Sequence, residues 1–268
     1  MLKYENGIHV ISNNNYHGSE GVSRSRLMSF HKSPQHYLNP KIFKGSPAMA
    51  LGSLTHCLLL EPELFDKEFA IVPVINKRTK IGKEQWAAFE LEHSCKTLVT
   101  DEQIDTAKKM CASIMANEDA ANMLSNDPLI ENSIYWTSQE TGMQFKSRPD
   151  IWYKHSGLVV DLKTTADASP WSFSNSAWKF GYFMQAAFAK EALASIGEPM
   201  TRFVIIAVEN TAPFVPAVYV MDEQSITFAV DQFHRLARDL KACIENNAWP
   251  DFGVNLLSMP RYAEGDSI

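Results

Sequence analysis

The order of periodicities along the chain predicts an α/β or α+β fold, a sheet covered by helices. Three observations lead there. The N-terminal part carries apolar positions at helical spacing between serine and proline breaks. The middle switches to a period of two, in "NSIYWTS", "MQFKSRPDIWY" and "LVVDLKTT". The last third alternates long amphipathic stretches with the apolar runs "RFVIIAVE" and "FVPAVYVM". With 268 residues, 45% of them hydrophobic, and neither repeat nor low-complexity linker, one domain over 1–268 is expected. Its helical part would cover about 1–130 and its sheet core about 131–268.

Each element has a local reason. "GVSRSRLMSFHKSPQHYLN" opens on a serine N-cap, places Leu27 and Phe30 at helical spacing and breaks at Pro34. "SPAMALGSLTHCLLLEPE" reads as a helix over about 48–60, stopped by Pro62. An extended piece near "FAIVPVI" and a basic loop precede two acidic helical segments, about 83–93 and 101–124, whose role reads as structural. The turn signals "QETG" and "KHSG" then join three runs into an antiparallel meander. A long helix over about 171–196 ends at Gly197, and a final helix spans about 222–246 after two more strands.

Composition excludes several classes. The N-terminus has no apolar stretch behind a basic one, and no run of about 18 uncharged apolar residues occurs, so neither secretion nor membrane spanning is expected. Cys57, Cys95, Cys111 and Cys243 lie far apart without a C-x-x-C pair, as expected of reduced thiols in the cytoplasm. The net charge of −6 conceals a segregation. Between Gly21 and Leu60 stand Arg24, Arg26, Lys32, Lys41 and Lys44 with no acid, and "NKRTKIGK" adds Lys77, Arg78, Lys80 and Lys83. Residues 84–128 carry nine acids against three lysines. Either a positive face for a polyanion or a merely solvated surface fits this pattern.

The chemistry concentrates in "VVDLKTT". Asp161 and Lys163, two apart on a strand, leave the same face, and Asp150 of "RPD" is one short turn away. Two carboxylates brought together repel, and a divalent cation such as Mg²⁺ resolves the repulsion. Lys163 could then orient or deprotonate a water and offset the charge of a phosphate being cut. A plain strand-edge ion pair is the competing reading. His56 follows Gly52 by one helical turn, which leaves room for a metal ligand or for a core histidine. Tyr182 and Gln185 share one helical face with Trp178 and Ala189, and Gln185 is the polar misfit that wants a partner.

Taken together, Ser23, Ser25, Leu27, Ser33, Pro34 and Tyr37, "G-x-x-x-H" at Gly52 and His56, "RPD", "DLK" and "Y-x-x-Q" resemble the RecB-like branch of the PD-(D/E)xK nucleases. "ISNNNYHG", "LGSLTHCLLLEPELF", "NKRTKIGKE", "SIYW", "DLKTTAD" and "WP…LSMPRYA" make the chain similar to the exonuclease VIII (RecE) nuclease-domain family over about residues 4–263.

This resemblance implies a PD-(D/E)xK core, a mixed sheet flanked by helices. It implies Mg²⁺, with Mn²⁺ as a substitute, held by His56, Asp150, Asp161 and the main-chain carbonyl of Leu162. Lys163 would be the catalytic lysine, Gln185 and Tyr182 would support the site, with Tyr182 also near DNA, and Ser23, Ser25 and Arg148 would contact phosphate; Arg24, Arg26 and Arg78 of the basic segments would follow the DNA backbone. Some relatives carry an iron–sulfur cluster whose first cysteine precedes the proline of C-P-x-x-Y; Ser33 stands there, so no cluster is expected. The implied activity is 5′→3′ resection of double-stranded DNA ends to 3′ tails, with a single-strand annealing partner and a ring-shaped trimer or tetramer. Alternatives are a Cas4-like or restriction-like nuclease of other polarity or endonucleolytic action, and an inactive DNA-binding module.

Overall fold

A computed structural model describes residues 2–40, 45–125 and 127–258. Lys41 and Lys44 of the basic run, and the end of the "LSMPRYA" motif from Met259 onward, lie outside the described residues. The N-terminal part runs β1 (Gly7–His9), α1 (Asn13–Gly18), α2 (Arg24–Lys32), α3 (Pro34–Leu38), α4 (Pro47–Leu60), α5 (Phe65–Glu68), β2 (Phe69–Ile71), α6 (Lys80–Glu92), β3 (Thr97–Val99), α7 (Asp101–Ala116) and α8 (Glu118–Met123). Then come β4 (Leu129–Ile130), β5 (Ser133–Thr137), β6 (Gln144–Ser147), β7 (Ile151–Tyr153), β8 (Leu158–Thr165), α9 (Pro170–Phe180), α10 (Tyr182–Ser195), β9 (Arg202–Glu209), β10 (Pro216–Val220) and α11 (Glu223–Asn246).

Helix starts follow the capping chemistry of the sequence. Ser12, Ser23, Ser33, Ser46, Thr79, Asn117 and Asp222 each accept a first-turn backbone N–H, and Thr100 forms a reciprocal capping box with Gln103. The main sheet has the order β10-β9-β8-β7-β4, parallel only between β8 and β9. A second sheet, β1-β5-β6, is antiparallel, and β2 and β3 make a small parallel pair.

Two expectations are corrected. The meander is divided: β5 and β6 belong to the three-stranded sheet, while β7 and β8 belong to the main sheet. Pro149 has no N–H to donate and holds Arg148 away from the helical region, so "SRPD" becomes a crossing between the sheets. The long helix expected over 171–196 is broken at Gly181, whose φ of +70° takes the left-handed conformation that ends α9. A Cβ there would stand 3.0 Å from Met28 Cε. The break dissolves the expected stripe: Trp178 points outward while Ala189 is buried.

Strands β8 and β9 are buried on both faces, as a parallel pair between helix layers should be. Val159, Phe203, Ile205 and Ala207 pack with α10 and α11, while Val160, Leu162, Val204, Ile206 and Val208 pack with Met110 and Ile114 of α7. Under α10, Phe233 meets Phe145 at 4.9 Å and Phe188 at 5.0 Å between ring centroids. Such tilted aromatic pairs add about 0.5–1.5 kcal/mol each beyond their buried area. This core fixes the strand that carries Asp161.

Candidate active site

Asp161 is the polar position on the α10 face of β8. Strand alternation puts it in line with Val159 and Lys163, and it is 1% exposed. Its Oδ1 accepts the amide of Gln185, from the first turn of α10, and its Oδ2 pairs with the Lys163 ammonium. The break at Gly181 is what starts α10 at Tyr182 and brings Gln185 over the strand. Lys163 also lies 5.2 Å from the Tyr182 ring centre and donates to the carbonyl of Leu162 at 3.4 Å.

From the other face comes α4. Gly52 closes it onto β8, because a Cβ there would stand 3.2 Å from Thr164 Oγ1. One turn later His56 sets Nε2 2.7 Å from the Leu162 carbonyl oxygen and Nδ1 3.6 Å from Asp150 Oδ2. Asp150, 7% exposed and just before β7, accepts the backbone N–H of Leu162 at 2.8 Å through the same oxygen. The antiparallel register of β7 and β8 therefore delivers Asp150, Leu162 and Asp161 together. The sequence-predicted His56, Asp150, Asp161, Leu162, Lys163, Gln185 and Tyr182 all meet here.

Burial and neighbouring charge set the electrostatics of the site. Burial, with Asp150 adding repulsion, pushes the Asp161 carboxyl up to about 6 although Lys163 opposes the shift. Burial works against the charge on Lys163, yet Asp161 and Asp150 more than offset it and hold the ammonium above its ordinary value. The Oε1 of Gln185 is buried without a hydrogen-bond partner.

Glu131 is the residue that sequence reasoning missed. It follows the two-residue strand β4, whose pairing with β7 sets it beside Asp150; its N–H donates to the Asp150 carbonyl at 3.0 Å. Ligand atoms of His56, Glu131 and Asp150 lie within 4.8 Å of one another. Burial, then Asp150, pushes the Glu131 carboxyl well above the usual range. A cavity of about 280 Å³ opens on this side of His56, between Ser12, Gly52, Glu61, Glu131 and Arg148.

The residues expected to contact DNA are spread out. Ser23 caps α2 and lies 3.1 Å from the Ser25 hydroxyl. Arg24 donates to the carbonyl of Phe180 at 2.9 Å, next to the site. Arg26 lies over Tyr37 at 4.1 Å. Arg78 is exposed on the loop before α6, where neighbouring Lys77 stacks on Trp86. Arg148 is a buried strut: it donates to Ser133 Oγ at 2.8 Å and the Ile11 carbonyl at 2.7 Å, lies 4.5 Å from the Tyr16 ring centre and pairs with Glu131 at 3.8 Å. Its Nε and Nη2 donors are engaged within the fold. Ser33, where cluster-bearing relatives have cysteine, caps α3 and bonds His36 Nδ1 at 2.6 Å.

The donor set is that of a hard divalent cation: carboxylates from Asp150, Asp161 and Glu131, the Leu162 carbonyl, and one imidazole. A buried acidic group whose carboxyls are pushed upward fits such an ion, whose charge would reverse the shifts. A strand-borne Asp–x–Lys with a second aspartate from the preceding hairpin defines the PD-(D/E)xK nuclease class. Residues 23–255 match the family model described as a PDDEXK-like domain of unknown function (DUF3799), and the chain belongs to that family. A crystal structure of a "Putative exonuclease" from Eubacterium rectale aligns with a TM-score of 0.59 at 14% identity, over 97% of this chain and 99% of that one, and shares the fold. The crystal structure of SSO0001 aligns at 13% identity over 78% of this chain and 91% of that one, with a TM-score of 0.31, too low to bear on the fold. No curated protein matches the sequence. Among the described residues no helix is long and apolar enough to cross a membrane.

Proposed function

We propose that the protein is a Mg²⁺-dependent deoxyribonuclease, with Mn²⁺ as a substitute, that resects linear duplex DNA from 5′ ends and leaves 3′ tails. The observation that carries the hydrolytic reading is the meeting of Asp150, Asp161, the Leu162 carbonyl and His56 beside Lys163. Those four groups, with Glu131 beside Asp150 and His56, would hold the cation, which would supply Lewis-acid activation of water and of the phosphodiester. Gln185 fixes the Asp161 carboxylate through its amide, so one carboxylate oxygen is committed to orientation. Lys163, two residues on, presents a positive charge where the scissile phosphate gathers negative charge. Buried β8 excludes bulk water from behind these groups and strengthens each interaction.

The 5′→3′ polarity and action on ends rest on the likeness of "DLKTTAD", "LGSLTHCLLLEPELF" and "SRPD" to exonuclease VIII, and the exonuclease name of the Eubacterium rectale structure agrees with action on ends. The same likeness carries a single-strand annealing partner for the tails and a closed trimer or tetramer with the basic segments facing a channel; the widely spaced cysteines carry the cytoplasmic setting. Incubation with linear duplex, nicked circle and closed circle, with and without Mg²⁺, tests the reading. Loss of linear duplex alone, only with metal, is the expected result; cutting of the closed circle would replace resection by endonucleolytic action. Light scattering at micromolar concentration tests the ring, and a monomer that degrades long duplexes processively would remove it.

A further inference from the structure

Among the described residues, exposed aromatic rings outside the chemistry include Trp171 near the start of α9 and three further surfaces. Phe252, Val254, Leu256 and Leu257 stand exposed on the chain after α11, with nothing in the structure to say what covers them. Trp178, with Phe183 and Phe228, lines a groove bordered by Asp222, whose carboxylate is set against a phosphate chain. The third, at the end of α9, has neighbours of a different kind.

Phe180 is the last residue of α9, 53% exposed although a large aromatic ring. The left-handed turn at Gly181 presents it beside Tyr182, with ring centroids 6.2 Å apart at 32°. Tyr182 in turn lies against the Lys163 ammonium. The Lys179 ammonium stands 5.6 Å from the Phe180 ring centre, and Arg24 clamps the Phe180 carbonyl. Among the described residues the Arg24 side chain makes no other hydrogen bond, which leaves further guanidinium donors for a ligand. An exposed aromatic held in place by a backbone clamp, with two cations beside it, is the combination that binds single-stranded nucleic acid: rings stack on bases and cations follow the phosphates.

We propose that Phe180, flanked by Arg24 and Lys179, is a stacking platform for an unpaired base, and that it holds a single-stranded DNA end beside Lys163. The proposal rests on the nuclease reading for its substrate class and adds to it a preference for frayed over fully paired ends. Within a duplex both faces of a base are covered by its neighbours, except for the outer face of the terminal pair. A ring that takes one strand's base away from its partner therefore draws that strand toward Lys163 only as the end opens. Stacking on Phe180 rewards that opening.

The test uses the full-length protein and a duplex whose 5′-terminal base is 2-aminopurine, either paired or in a three-nucleotide single-stranded flap, titrated in EDTA so that no cleavage occurs. Wild type should bind the flap more tightly than the paired end and quench its fluorescence. Phe180→Leu, apolar and without a stacking ring, should weaken flap binding about tenfold, in line with base–aromatic stacking, and remove the quenching. Phe180→Trp should restore both. With Mg²⁺ or Mn²⁺, Phe180→Leu should raise KM on DNA while its rate on bis(4-nitrophenyl) phosphate stays at the wild-type value. Equal flap affinity and quenching in wild type and Phe180→Leu would overturn the platform. Because binding is read without metal, a protein that quenches but cuts no DNA would sink the nuclease reading and leave the platform standing.

Discussion

Gly52→Val separates the placement of His56 from its chemistry. Alanine at position 52 would gain helix propensity of about 1 kcal/mol over glycine. Its Cβ at 3.2 Å from Thr164 Oγ1 asks α4 to withdraw by a few tenths of an ångström, so Gly52→Ala should be near neutral in stability. Valine adds two methyl groups toward a strand that is already packed, and overpacking of this kind costs about 1–3 kcal/mol. That corresponds to a fall in Tm of about 2–4 °C per kcal/mol for a chain of this size. The larger effect falls on the site, because the His56 contact with Leu162 is 2.7 Å long and does not survive a helix moved outward. Displacing a group that orients a metal site lowers metal affinity about 10–100-fold. Thermal melts together with cleavage titrated against Mg²⁺ read both effects. A Gly52→Val protein with an unchanged metal midpoint would refute the claim that this contact places His56.

Other outcomes follow from single residues. Gly181→Ala forces a side chain into φ +70° and toward Met28, so it should lose about 1–2 kcal/mol and, by misdirecting Gln185, reduce cleavage more than the melt alone explains. His56→Ala should lose activity that high metal concentration partly restores; an unchanged metal titration would return His56 to the core. Charge removal at Lys77, Arg78 and Lys80 should flatten the salt dependence of DNA binding by roughly one unit of slope per lost phosphate contact, and identical slopes would make these residues solvated surface only. Lys146 offers a pH test away from the site. Buried with its ammonium donating to the Tyr16 and Ser19 carbonyls, it has its pKa lowered to about 8 by burial and then by Arg148. Between that value and the ordinary lysine value the unfolded chain binds the extra proton, so Lys146 should add a rise in wild-type stability through about pH 8–10 that Lys146→Met lacks; parallel curves would contradict the assignment.

How much of this was legible depends on range along the chain. Asp161 and Lys163 declare themselves because a strand has period two, and His56 and Gln185 because one helical turn sets Gly52 before the first and Tyr182 before the second. Each needs only local geometry. Glu131 was illegible: it follows a strand of two residues, and only the pairing of Ile130 with Ile151 carries it to Asp150. The division of the meander was half legible, since Pro149 signals a break but not which sheet each half joins. Gly181 reads in sequence as one weak position in a long helical pattern, and what makes it a break is Met28, 153 positions earlier, occupying the space a side chain would need. Arg148 looked like a free cation because sequence does not show its partners on the loop at Ile11 and on β5.

The most direct test of the metal-dependent nuclease site is a paired measurement on wild type, Asp161→Asn and Lys163→Ala: Tm with and without Mg²⁺ or Mn²⁺, and cleavage of a linear duplex under the same conditions. Asp161→Asn leaves the Lys163 ammonium without its paired carboxylate, so it should melt below wild type without metal. It should lose most of the metal-induced rise in Tm that binding confers and cut no DNA. Lys163→Ala should keep a metal-induced rise and also cut no DNA. Metal-dependent cleavage at the wild-type rate by either variant would contradict the account.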